Sequence, residues 1–239
     1  MDSPVVGRNV PTRRRSAAGD TASDAHDLAW SGRHAAALAV CDEALAALAL
    51  PAPSRLALLE LRARSHLALG QFAQASAAAA AMTDFANDQG VQAWRVRALC
   101  CQALVMIRST RYGNMQQLAE SALALAVKTG DPASLGLSHL TLGEARLRLS
   151  DSEAALDHGR RAATNFERTS DTVSLGRAHW LIAIAHSRGI HEAASRRAAE
   201  HAAELARGSG DLYGLAQALN VLSFTCKDIA ERIDLLQRA

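Results

Sequence analysis

Three phrases forty residues apart constrain this chain more than any other feature: "KTGDPASLG" at 128–136, "RTSDTVSLG" at 168–176 and "GSGDLYGLA" at 208–216. Gly130 suits the left-handed position just after a helix, where a Cβ would clash. Asp131 has the side chain to cap the next helix, and Pro132 fits its first turn, where a missing N–H is harmless. Asp171 and Asp211 recur as caps, the latter preceded by Gly210. The phrase therefore predicts a helix stop followed within two residues by a helix start.

The register extends beyond this punctuation. Leu135, Leu175 and Leu215 align, as do Leu142, Ile182 and Leu222. Small residues align as well: Ser138, Ala178 and Ala218; Ala103, Gly143, Ala183 and Ser223; Ala119, Gly159 and Ala199; Ala122, Ala162 and Ala202. Repetition of both large and small positions is what stacked units require, because each presents the same face to its neighbour. Two earlier units, "WSGRHAAALAVCDEAL" and "ALGQFAQASAAAAAM", place Gly32 and Gly70 before Ala-lined helices. Those glycines are 38 apart, so the strict period begins near residue 91. Only 4% of residues are aromatic although 49% are apolar, which favours helices packed closely on Ala and Leu over a sheet core. The expected fold is all-α, with stacked antiparallel helix pairs over residues 21–239, five pairs and a partial sixth.

These small positions resemble the tetratricopeptide repeat. Ala103 and Gly143 stand at its eighth place, Ala75 and Ala155 at its twentieth, Ala44 and Ala162 at its twenty-seventh. The resemblance covers about residues 21–239 and implies a right-handed superhelix, an α-solenoid. Units of about forty residues depart from the usual thirty-four, and the aromatic places hold His139, His179 and Arg146 instead. Longer units of this kind look like the repeat regions of bacterial multidomain signalling proteins. The resemblance thus implies a protein- or peptide-binding scaffold. The alternative is a regulatory sensor module fused to a nucleotide cyclase, diguanylate cyclase or DNA-binding output domain.

Residues 1–20 mix Pro, Gly, Ser and Arg without apolar period and read as a disordered basic leader. Arg13 to Arg15 fit either a solvated tail or a contact with an acidic partner. A net charge of +2 gives no argument for nucleic acid or a membrane surface as a direct partner. No apolar run approaches the roughly 18 residues of a membrane span, and no secretory signal is evident. Cys41, Cys100, Cys101 and Cys226 form no CxxC pair, consistent with a reducing cytoplasm.

Nine histidines invite a search for chemistry. His186 and His191 flank a turn beside Glu192, which is not the HExxH spacing that sets two ligands on one helical face. His139 and His179 share a repeat position, pointing to packing or hydrogen bonding between repeats. Consecutive Cys100 and Cys101 lie about 100° apart on a helix and read as buried small residues. "GSGDLYG" lacks the strand and glycine spacing of a dinucleotide fingerprint, and no nucleophile elbow or phosphate loop is present. No enzyme, metal or cofactor is expected.

Arg108, Arg148 and Arg188 are forty apart, each at the end of a first helix. Following the resemblance, first helices line the concave groove. Its expected lining includes Arg97, Leu104 and Arg108; Leu137, Glu144 and Arg148; Arg177, Trp180, Ile184 and Arg188; then Gln217, Asn220 and Phe224. Arginines interleaved with aromatics suit an acidic or carboxylate-bearing peptide. Against that stands a purely structural reading: a cation near a helix C-terminus gains about 0.3–1 kcal/mol from the macrodipole, and Arg stems cover apolar surface. The known family's dicarboxylate clamp is not matched. Finally, Asp228 can cap a helix on which Ile229, Ile233 and Leu236 share a face. An amphipathic end of this kind predicts the repeat region of a longer chain, with a natural cap as the alternative and self-association through Asp228–Ala239 as a possible use.

Overall fold

The structure, a computed structural model, describes residues 17–46, 50–110, 113–226 and 228–238. Among them run twelve helices: α1 (Ala17–Trp30), α2 (His34–Ala46), α3 (Ala52–Ala68), α4 (Phe72–Gln89), α5 (Gln92–Arg108), α6 (Met115–Thr129), α7 (Pro132–Arg148), α8 (Ser152–Phe166), α9 (Thr172–Arg188), α10 (Glu192–Ser209), α11 (Leu212–Phe224) and α12 (Ile229–Arg238). The fold is an α-solenoid, and no strand occurs among the described residues. Helix α1 begins within the stretch whose composition suggests a leader; Arg13 to Arg15 lie outside the described residues.

The repeated phrase works as its chemistry predicts. Gly130 adopts φ +66° after α6 and Gly210 φ +72° after α10. Asp131, Asp171 and Asp211 each accept a hydrogen bond 2.9 Å long, from the backbone N–H groups of Ser134, Ser174 and Gly214. The phrase also contains a device that residue types alone did not expose. Thr129, Thr169 and Ser209 donate their hydroxyls to the carbonyls of Ala126, Phe166 and Ala206. These carbonyls belong to the last helical turn, and each also accepts a backbone N–H from just beyond it, of Gly130, Thr169 and Asp211, so the hydroxyls add a second bond to the helix end. Where Ser170 replaces glycine the left-handed cap is absent, and α8 ends early at Phe166.

A second register is invisible as residue type. The turn from first to second helix passes through positive φ at Gly32, Gly70, Thr110, Ser150 and Ile190. From Gly70 onward these lie forty apart, so the strict period begins one unit earlier than residue 91. Three side chains tolerate what glycine would adopt freely, because helices on both sides fix the turn.

Packing follows the small positions. A Cβ on Gly143 would meet Leu181 Cδ2 at 2.5 Å and His158 Cβ at 3.3 Å, so α7 packs there closely enough that a side chain would force the Leu181 tip to move. Ala103, Ala119, Ala122, Ala155, Ala162 and Ala199 are all fully buried. The core is a chain of small clusters along the axis, each shared by successive helices. Every helix packs on its predecessor, and α1, α3, α5, α7, α9 and α11 also pack in sequence on one another. First helices therefore form the inner layer and second helices the outer. The inner curvature is tight: the Trp30 indole at the end of α1 donates to the Gly210 carbonyl, 2.8 Å away and 180 residues on.

Candidate functional site

Four consecutive first helices converge on one recess of the inner face. It is lined by Glu60 and Arg64 from α3, Arg97, Cys100, Cys101 and Leu104 from α5, Leu137, Leu140, Thr141 and Glu144 from α7, and Arg177 from α9. Side chains from first helices three repeats apart can share a lining only on the concave side. The unoccupied space is small, about 30 Å3. A wider groove of about 400 Å3 lies elsewhere, over α5 between α4 and α6, and no charged side chain lines it.

The recess is built around Glu60, whose side chain is only 13% exposed. Its Oε1 pairs with Arg64 at 2.7 Å, one helical turn along, and its Oε2 receives both Nε and Nη2 of Arg97 from the next repeat. Burial alone would raise the Glu60 pKa; the Arg64 and Arg97 guanidinia outweigh it and hold the carboxyl below its usual range. Glu144 pairs with Arg108, its Oε2 3.6 Å from Nη2. Arg177 makes no hydrogen bond or ion pair with any described residue. Its pKa is pushed down, first by burial and then by the charge of Arg64, against the pull of Glu144 and Asp211. Behind the charges, burial raises the Cys100 thiol to about 11 and Cys101 to about 12, so both stay protonated as packing groups.

The three arginines forty apart are not equivalent. Arg108 reaches Glu144 across the repeat boundary. Arg188 donates from Nη1 to the Leu147 carbonyl, 2.7 Å away at the C-terminal end of α7. Arg148, between them, is exposed and has no partner among the described residues. The remaining expected groove residues divide similarly. Trp180 is partly buried and packs between α9, α10 and α11. Gln217 donates to the Tyr213 hydroxyl at 3.3 Å, and the Arg232 guanidinium sits 5.9 Å from the Phe224 ring centre. Asn220 is exposed on α11. Glu60 and Arg64 were missed by sequence reasoning. Their signal was there: stepping the register of Leu104, Glu144 and Ile184 back forty residues lands on Arg64.

Histidines pair within helix pairs. His139 Nδ1 lies 3.0 Å from His158 Nδ1, and the His179 and His201 rings meet edge to face at 4.2 Å. These contacts join α7 to α8 and α9 to α10, inside one repeat in each case. Among the described residues no three His, Cys, Asp or Glu side chains gather as metal ligands. None of the helices described is long and apolar enough to cross a membrane. On α12 the Asp228 cap forms, with Ala230 N–H at 2.7 Å from Oδ1. Leu235 is the side chain that enters the core, while Ile229, Ile233 and Leu236 stay exposed.

Solved structures share this architecture. The apo form of RapI matches with a TM-score of 0.64 at 13% identity, over 92% of this chain and 80% of that one. BtubC from P. vanneervenii matches at 0.58 and 16% identity, over 92% and 86%. A signal-transduction ATPase of the STAND class with a tetratricopeptide repeat sensor, from Pyrococcus horikoshii, matches at 0.61 and 13% identity. The fold is that of tetratricopeptide-like repeats. At such identities the likeness is one of fold. The match to the STAND protein takes in 91% of this chain but only 34% of that one, so this chain spans about a third of its length. No protein-family profile matches the sequence, and no curated protein does. The tetratricopeptide-like units run at about forty residues, and their inner layer carries the charged recess.

Proposed function

We propose that this chain is a non-enzymatic helical-repeat scaffold that binds a protein or peptide segment along its concave face. One observation carries the reading: first helices α3, α5, α7 and α9 direct charged side chains into a single concave recess. Guanidinia crowded around a nearly buried carboxylate are costly for a solenoid to maintain. They are useful where a ligand must be oriented by charge. The segment bound is acidic, because guanidinia outnumber carboxylates in the recess lining.

The test is site-specific photo-cross-linking in lysate. A cross-linker at Asn220 or Arg148 should trap the same identified protein, while one at exposed Val127 on outer helix α6 should not. Equal adducts at all three positions, or none at the inner ones, reject the concave face as the binding surface.

A second reading has its own support, the likeness to a repeat sensor within a larger ATPase. In it the chain is the sensor region of a longer signalling protein, with a nucleotide cyclase, diguanylate cyclase or DNA-binding output. The open reading frame around these residues decides between a free scaffold and a fused sensor; the groove chemistry is common to both.

A further inference from the structure

The charges of the concave recess do not balance, and the imbalance is localised. Both oxygens of Glu60 are committed, Oε1 to Arg64 and Oε2 to Arg97. Glu144 is engaged by Arg108. Arg177 is left with no described partner, lining the same recess as Arg64. Three guanidinia therefore line the recess with two carboxylates, Arg108 reaching Glu144 from outside it and Asp211 acting on Arg177 through its charge alone. The wall between them is apolar, formed by Leu104, Leu137 and Leu140, which lowers the local dielectric and strengthens any charge pairing made there. A protein gains nothing by holding a second guanidinium against Arg64 in such a place unless something anionic completes the set.

We propose that Arg64 and Arg177 form an oxyanion seat that takes a carboxylate of the bound peptide. This rests on the concave-groove reading and specifies its anchor. The free space, about 30 Å3, holds a carboxylate head or one or two waters but no larger group. The planar fork of Arg177 can meet both oxygens of a carboxylate at once. Because Arg64 stands on α3 and Arg177 on α9, an occupied seat links first helices three repeats apart in a fold held mostly by neighbouring units. The seat lies on the groove floor, away from the Arg108, Arg148 and Arg188 positions.

The test uses two labelled probes, an oligoglutamate with both ends blocked and an oligoglutamine with a free C-terminus, titrated at low ionic strength. Wild type should bind at least one of them, and the tighter probe identifies the source of the carboxylate as side chain or terminus. Arg177→Gln should weaken that binding by about tenfold, and Arg177→Lys should recover part of it. Arg160→Gln, on outer helix α8, should leave it unchanged. Burial and the charge of Arg64 outweigh the pull of Glu144 and Asp211 on Arg177, and it has no hydrogen bond to a described residue to lose, so the melting temperature of Arg177→Gln should match or exceed wild type. Equal binding by wild type and Arg177→Gln overturns the seat and leaves the groove reading standing. Failure of both probes to bind wild type also overturns the seat; the groove reading is then judged by the cross-linking at Asn220 and Arg148.

Discussion

The floor of the concave groove and its edge both carry arginines, yet they differ in what those arginines do. On the floor, Arg64 and Arg97 are locked to Glu60 while Arg177 stands without a partner among crowded side chains. At the edge, Arg108, Arg148 and Arg188 occupy one repeat position and meet three different fates: an ion pair, open solvent and a helix-end carbonyl. Equivalent sequence positions therefore do not guarantee equivalent chemistry. A repeat fixes where the Cα sits. The neighbour in the next unit decides what the side chain finds there.

The largest effect should come from the floor. Glu60→Gln strips the counter-charge from two guanidinia and should cost about 2 kcal/mol in chemical denaturation. That lies below the figure for a fully buried pair because both arginines keep solvent access. No change in midpoint would reduce the floor network to surface decoration.

Acid separates the floor from the helix pairs behind it. Burial, then the charge of His158, lower the His139 pKa to about 4, against 6.5 in an unfolded chain. Arg161 adds to this and Asp157 opposes it. The unfolded state therefore takes up the proton first, so the stabilisation is complete above pH 6.5 and is lost as pH falls from 6.5 to about 4. His139 contributes about 2 kcal/mol of the loss over that window, with His179, also lowered to about 4, losing stability alongside it. His139→Gln, which cannot titrate, should remove only the His139 share. Glu60, held below its usual range by Arg64 and Arg97, keeps its charge to lower pH than an ordinary carboxylate. Melting curves across the window check both statements.

The edge offers a gain. Ile190, 85% exposed, holds φ +61° in the turn just after Arg188. Left-handed backbone costs a β-branched residue about 1–2 kcal/mol. Ile190→Gly removes no packing and should raise stability by about 1 kcal/mol, seen as a higher melting temperature. A drop instead would mean that the exposed side chain has a structural role.

The smallest effect tests the edge itself. Arg188→Ala should cost about 1 kcal/mol by removing its charged hydrogen bond to the Leu147 carbonyl, which keeps the Ser150 N–H, while Arg148→Ala should stay within about 0.5 kcal/mol. Equal losses would restore the equivalence that the repeat suggests and remove the contrast between structural and free arginines.

Much of the architecture was legible in the sequence because its signals are local. Gly130, Asp131 and Pro132 act through their own backbone and that of residues three or four away, so their roles follow from type and spacing. Ala119 and Ala162 recur because interhelical distance admits nothing larger. The candidate site was legible only in part. Arg97, Glu144 and Arg177 could be named as groove residues from the register. Their partners could not, since the Glu60–Arg97 bond spans 37 residues and the irregular early unit concealed Glu60. The turn register through Thr110, Ser150 and Ile190 was hidden for a different reason: backbone conformation is conserved across the units while residue type is not.

The sequence by itself thus determined helix stops and starts, the forty-residue unit, and the small faces on which units stack, all set by interactions within one or two turns. Only the tertiary structure decided which arginines are neutralised, which one is surplus, and that Trp30 meets Gly210. Those outcomes depend on how tightly successive pairs curve. The curvature is the accumulated sum of small rotations at every interface, and no single unit of sequence specifies that sum.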